Sequence, residues 1–323
     1  MSFYLYKVIV PFVISYTITY LLSLFLLNKV TILISKSKPE LEGFHKNKET
    51  IPNIGGIAFI FATFITTAFF SKINTQLIYT IALILSFAIL GFIDDNYKRF
   101  SDNGDGIKSL TKLFWQFAIS ILFVLVGTSR GYIASGISFF MKDGIVFSVL
   151  ENCFLIFLMV YFVNAFNITD GLDGLAGYVS LPLFVVFILI TLCNGNSELI
   201  LVLNVSLFAA ILAFLHFNRY PAKYFMGDCG SMALGSSLLI IALTLRLTSI
   251  FIIASLIFSL ELFSSFIQIV AIRVFKKKVF SIAPIHHLYE QKGESEAEIV
   301  NLFARLSALF SIIALILYCY KYF

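Results

Sequence analysis

Apolar runs recur from one end of the chain to the other, and short polar stretches separate them. Most approach the ~20 residues a helix needs to cross a bilayer. They fall near 4–27, 53–71, 76–93, 113–129, 149–166, 178–193, 198–216, 231–247, 249–273 and 301–320. The series predicts an all-α polytopic integral membrane protein with about ten transmembrane helices. The weak alternation of an outer-membrane barrel is missing, so helices are the expected spanning element. No repeat or low-complexity linker interrupts the series, and residues 1–323 read as one transmembrane domain. The first run is long and lacks a small-residue cleavage pattern, as expected of a retained span rather than a signal peptide.

The polar stretches are uneven in charge. Lys36, Lys38, Lys46 and Lys48 follow the first run, and Lys98, Arg99, Lys108 and Lys112 follow the third. Arg219 and Lys223 follow the seventh, and Lys276, Lys277, Lys278 and Lys292 follow the ninth. Alternate loops share a side of the membrane, so all of these lie on one face, whereas the other has scattered charges such as Lys72, Arg130, Lys142 and Lys321. Basic loops stay in the cytoplasm, and with an even number of spans both termini are expected outside. The basic loops also gather the chemistry: Asp94 and Asp95, Asp170 and Asp173, Asp228, and His286 and His287. Four separate loops thus bring carboxylates and imidazoles to one side of the membrane.

Composition narrows the reading further. The chain is 59% hydrophobic and 13% charged, about half the charged fraction of a soluble domain. Its net charge of +5 resides in a few loops and is no nucleic-acid footprint. Cys153, Cys193, Cys229 and Cys319 have no spacing that suggests a disulfide framework or a zinc site.

The stretch YFVNAFNITDGLDGLAG, 161–177, leaves an apolar helix and presents Asn164, Asn167, Thr169, Asp170 and Asp173 in quick succession. Carboxylates this close to a bilayer cost several kcal/mol unless paired, hydrated or bound to a cation. The bland alternative is a solvated polar turn. In GFIDD, 91–95, adjacent carboxylates resist joint ionisation unless a cation such as Mg²⁺ neutralises them. Lys98, Lys108 and Lys112 follow as phosphate partners or as ordinary cytoplasmic lysines. In NRYPAKYFMGDCGS, 218–231, Asp228 sits in a glycine-flanked turn that a metal can reach. Phe225 offers a face to stack a base or to pack in the core. The pair His286-His287 can bind phosphate, ligate metal or move protons. Glu261, inside the ninth run, is a helix-packing hydrogen bonder or a substrate contact. No phosphate-binding P-loop or dinucleotide turn is present.

Taken together, these stretches resemble the polyprenyl-phosphate N-acetylhexosamine-1-phosphate transferase superfamily. The carriers are HKNKETIPNIGG, GFIDD, NAFNITDGLDGLAG, FNRYPAKYFMGDCGSMALG, ELFSSFIQ and APIHHLYEQKG. The last two favour its muramoyl branch. The resemblance implies a ten-helix bacterial inner-membrane protein with a cytosolic active-site cleft, working as a homodimer and handling no nucleic acid. It implies transfer of phospho-N-acetylmuramoyl-pentapeptide from its UDP carrier to undecaprenyl phosphate, with Mg²⁺ as cofactor and UMP released. By motif position it implies catalytic roles for Asp94, Asp95, Asp228, His286 and His287. It places Lys48, Lys98, Lys112, Asn167, Asp170, Leu172, Asp173, Asn218 and Phe225 at substrate, and Asp228 and Asp173 at metal. Two departures stand out. The first loop reads Ile51-Pro-Asn-Ile-Gly-Gly56 where the family has TPTMGG, and Leu288 replaces the third of three histidines. The rival readings are a sister transferase for UDP-N-acetylglucosamine and a secondary transporter with ionisable groups in its path.

Overall fold

The computed structural model describes residues 5–29, 51–101, 105–140, 144–195 and 197–322. Lys48, with the rest of the first basic loop, lies outside the described residues. A π-turn over Leu5–Ile9 leads into α1 (Val10–Lys29), followed by α2 (Gly55–Phe70), α3 (Thr75–Phe100), α4 (Ser109–Ser129) and α5 (Ile145–Thr169). Then come α6 (Leu175–Asn194), α7 (Glu198–Asn218), α8 (Gly227–Thr244), α9 (Thr248–Ala254) and α10 (Leu256–Val270), the last extended by a π-turn over Ala271–Phe275. A short α11 (Ile285–Gln291) and a long α12 (Glu296–Tyr322) complete the chain. Among the described residues there is no strand, and 9 helices are long and apolar enough to cross a membrane. The shorter apolar α2 makes the tenth run. The chain is an all-α polytopic membrane protein.

Local chemistry sets several helix boundaries. The Asn74 side chain accepts the Leu77 N–H at 2.8 Å and caps α3. The Ser197 hydroxyl accepts the Ile200 N–H at 3.4 Å at the start of α7. The run at 249–273, expected as one span, is two helices instead. At the break, Ser255 donates its hydroxyl to the Phe251 carbonyl at 2.6 Å and adopts φ −93°, ψ 17°. A serine that bonds back into the preceding turn bends a helix, and its apolar neighbours hide the bend from a hydropathy pattern. Before the bend, α9 packs on α12; beyond it, α10 packs on α5.

Helix α8 is the hub. Every residue from Gly227 to Leu243 is buried, and α8 packs on α2, α3, α5, α6, α7 and α9. Its most extensive partner is α3. A side chain at Gly91 of α3 would overlap the Asp228 carbonyl, so the two backbones touch there. Gly56 of α2 and Gly230 of α8 make a second backbone contact. Without a hydrophobic force between helices in lipid, small residues that admit such contact supply the attraction.

The Gly91 contact has a measurable consequence. Gly91→Val must part α3 from α8 at the point where both carry acids. Overpacking of this kind costs about 1–3 kcal/mol. We expect a lower thermal midpoint in detergent and loss of activity, and an unchanged midpoint would refute the contact.

Candidate active site

The ends of α3, α5, α7 and α10 meet the starts of α2, α4, α6, α8 and α12 at one end of the bundle. There the side chains of α3, α4, α5 and α8 join in one network. Lys98 Nζ lies 3.0 Å from Asp94 Oδ2 and 2.8 Å from Asp228 Oδ1. Lys112 Nζ lies 3.2 Å from Asp94 Oδ2, pairs with Asp228 Oδ2, and donates to Asn167 Oδ1 at 3.4 Å. Asn167 donates in turn to the Ser231 hydroxyl at 2.9 Å. Asp94 and Asp228 thus share two ammonium groups. Asp94 also accepts the Ile107 N–H at 2.7 Å, which folds the chain before α4 back over α3.

Asp95 is engaged differently. Its Oδ1 accepts from the Asp228 N–H at 3.1 Å and from Asn53 Nδ2 at 2.9 Å, and its Oδ2 accepts from the Cys229 N–H at 3.0 Å. A carboxylate from α3 therefore caps the N-terminus of α8, where free N–H groups and the helix dipole favour negative charge. The loop before α2 braces the same turn: Gly55 N–H donates to the Phe225 carbonyl at 2.8 Å and Phe225 N–H to the Pro52 carbonyl at 2.9 Å. Asn53 and Ser231 are members of the site to which sequence reading gave no role, although both lie inside the motif stretches that carry the resemblance.

Asp170 follows the last residue of α5 and lies within electrostatic reach of Asp228, Asp95 and Asp173. Burial first, and then those three carboxylates, push its carboxyl well above the usual carboxylate range, with Lys98 opposing. Asp173 is buried. Its Oδ2 accepts the Ala222 N–H at 2.9 Å and its own N–H donates to Glu296 Oε2 at 3.1 Å. Leu172 is buried in the apolar core. Asn218 is buried and donates to the Tyr224 carbonyl at 3.0 Å, shaping the loop that carries Phe225 to Asp228. Phe225 is half-buried. His286 is fully buried and packs against Gly171, so α11 meets the turn that holds Asp170 and Asp173. His287 lies beside it at a tilt of 58°, ring centroids 4.2 Å apart, with Nδ1 2.5 Å from Glu290 Oε2.

Of the expected metal pair, Asp228 shares its lysines with Asp94, and Asp173 holds the Ala222 amide. Among the described residues no three acid, His or Cys side chains group as a metal site. The donor set still suits a hard cation, because Asp94, Asp95, Asp170, Asp173 and Asp228 outnumber Lys98 and Lys112, and the crowding is felt at Asp170.

From this network a cavity of about 680 Å³ runs along the bundle. Its polar end holds Asp94, Lys98, Lys112, Asn167 and Asp228, and its wall is apolar, with Phe117, Phe157, Val160, Leu262, Phe266 and Ile269. Gln116 and Asn164 pair their amides across it at 2.7 and 3.2 Å.

The pressure on Asp170 is testable. The unfolded chain releases this proton near the ordinary carboxylate value of about 4 while the folded chain resists its loss, so the group costs stability above that pH, and the cost grows until the pH reaches its raised folded value. Asp170→Asn should therefore raise the thermal midpoint at pH 8 in detergent with chelator, and the gain should vanish below pH ~4. An equal gain at both pH values would contradict this account.

Comparison with known proteins fits the geometry. Residues 77–246 match the profile of glycosyl transferase family 4. A phospho-N-acetylmuramoyl-pentapeptide-transferase of Clostridium perfringens is 35% identical over 272 residues, covering 84% of this chain and 85% of the relative. Proteins of the same name from Oceanobacillus iheyensis and Borreliella afzelii are 34% and 36% identical, covering 83% and 84% of this chain and 84% and 83% of their own lengths. The matched segment includes Asp94, Asp95, Lys98, Lys112, Asn167, Asp170, Asp173 and Asp228. With the family profile and relatives aligned over more than four fifths of their length in agreement, the chain belongs to glycosyl transferase family 4.

Proposed function

We propose that this transferase moves phospho-N-acetylmuramoyl-pentapeptide from its UDP carrier to undecaprenyl phosphate, forming lipid I and UMP. The observation that carries the reading is the cavity in which a cluster of aspartates and lysines continues into an apolar wall. A polyprenyl phosphate is itself a polar head on an apolar chain. The name shared by the relatives supports the muramoyl donor. Leu288, where the muramoyl branch has histidine, keeps UDP-N-acetylglucosamine as the second donor to test.

In the reaction, an oxygen of the lipid phosphate attacks the sugar-bearing phosphorus of the donor. A new P–O bond forms, the bond from that phosphorus to the bridging oxygen breaks, and UMP leaves with the electron pair. Both reactants are anions, so their repulsion and the leaving charge dominate the barrier. Lys98 and Lys112 flank the cavity's polar end and can pair with phosphate oxygens. Asp94, at the same end, can position the lipid phosphate or take its proton. Asp95 sets the α8 turn and with it Asp228. Asp170, Leu172, Asp173, Asn218 and Phe225 are assigned to the nucleotide by motif position, with Leu172, Asp173 and Asn218 buried behind the half-buried Asp170 and Phe225, and His286 and His287 approach that turn from α11. Lys48 is assigned to phosphate by its motif alone. Mg²⁺ supplies further neutralisation of phosphate charge when bound; Asp228 would hold it, with Asp170 and Asp173 nearby.

The setting follows. The chain acts as one transmembrane domain in the bacterial inner membrane, with the site on the cytoplasmic face, both termini outside, and a second copy as its partner. Supporting the orientation, Lys98, Lys108 and Lys112 sit at the site's end of the bundle.

Detergent-solubilised protein should be given each UDP-sugar in turn with undecaprenyl phosphate and Mg²⁺, and the lipid product identified by mass. We expect lipid I from the muramoyl donor, with Asp228→Asn reducing turnover by more than about a hundredfold. Product from UDP-N-acetylglucosamine alone would transfer the reading to the sister activity. Separately, a cysteine introduced at Lys108 should be labelled from the cytoplasm and one at Arg130 from outside. The reverse pattern overturns the orientation.

A further inference from the structure

Glu261 and His286 form a buried pair that the scheme above leaves unexplained. Glu261 lies on α10 and His286 on α11, and both are 0% exposed. Glu261 Oε2 is 2.9 Å from His286 Nδ1. A carboxylate inside a membrane helix needs a partner, and the imidazole is that partner. The pairing is incomplete, however. Glu261 Oε1 and His286 Nε2 are both buried with no hydrogen-bond partner among the described residues. Buried polar atoms are nearly always satisfied, so two orphans on one pair mark a network that a further group completes.

The direction of the unpaired nitrogen is informative. A side chain at Gly171 would overlap Nε2 and Cε1 of His286, so the free edge of the ring lies on the turn between Asp170 and Asp173. That turn belongs to the acidic cluster through Asp170. Helix α10 also supplies Leu262, Phe266 and Ile269 to the wall of the cavity. One helix therefore carries both the apolar wall and the anchor of the imidazole.

The geometry points to Glu261 as a positioning residue for the transfer. By accepting the Nδ1 proton it holds His286 in the tautomer and rotamer that present Nε2 at the Asp170–Asp173 turn, to the phosphate or sugar hydroxyls of the donor. A carboxylate on one imidazole nitrogen is the usual means of deciding what the other can do. Glu261 touches no substrate, and its effect passes through His286. This rests on the transferase reading given above.

The test uses the full chain in detergent with both substrates and the variants Glu261→Leu, Glu261→Gln, His286→Asn and the Leu/Asn double. Glu261→Leu should lower kcat by about tenfold to a hundredfold, the usual cost of losing an orienting partner, with little change in the donor's KM. Glu261→Gln still accepts the Nδ1 proton and should recover most of that loss. In the His286→Asn background, Glu261→Leu should add less than about twofold, because the two residues act as one unit. A full additional loss in that background overturns the proposal, as does wild-type kcat in Glu261→Leu. Histidine ¹⁵N spectra give a reading independent of turnover, with the His286 signal assigned from the His286→Asn sample. Its Nδ1-protonated pattern should persist in Glu261→Gln; an Nε2-protonated ring in the wild type overturns the proposal. A wild-type protein that turns over neither donor, yet shows the Nδ1 pattern, counts against the transferase reading and not against the pair.

Discussion

The carboxylate of Asp95 on the first amides of α8 is the interaction on which the site depends. It accepts the Asp228 and Cys229 N–H groups, and so stands where a capping side chain from the preceding loop would otherwise stand. One turn away, Gly91 lets α3 lie directly on the backbone of α8. Together these contacts fix the distance between two helix ends that lie far apart in sequence. Asp94, the neighbour of Asp95, then has only one place to be: across two lysines from Asp228.

That arrangement explains how a crowded set of acids survives at the edge of a membrane. Lys98 is one helical turn beyond Asp94 on α3, and Lys112 reaches in from α4. Each ammonium serves two carboxylates, which lowers the cost of burying them. Charge is left over, and it is felt at Asp170, whose carboxyl burial and the neighbouring carboxylates push well above the usual range. The same excess that strains the folded chain is what draws cations and basic groups to it. A phosphate entering the cavity, which the acids alone would repel, would face the lysines that line its polar end.

The bend at Ser255 and the helix beyond it give the site its other half. Helix α9 stays with α12, whereas α10 goes to α5 and closes the apolar wall of the cavity. The loop after it is tied back by Gln268, which accepts from the Val279 and Phe280 N–H groups at 3.0 and 2.9 Å. This tether brings α11 and its histidines against the turn at Gly171. A soluble donor and a membrane-bound acceptor can meet only where a polar rim and an apolar wall share an edge, and these elements build that edge.

The sequence by itself determined the class of the protein, because a span of about 20 apolar residues has one stable solution in lipid. It determined that the polar chemistry lies at one end, because loops alternate sides and the acids and histidines fall in alternate loops. Motif resemblance separated Asp94, Asp95, Asp170, Asp173 and Asp228 from ordinary loop residues. What each does was decided only in three dimensions. Asp94 and Asp95 are adjacent and chemically identical, yet one faces lysines and the other caps a helix, since neighbouring positions on a helix point about 100° apart. The bend at Ser255 left no mark in an apolar run, because a serine hydroxyl can bond its own backbone without altering mean hydropathy. The link between Glu261 and His286 spans two helices, and pairing across helices depends on packing, to which residue order is blind.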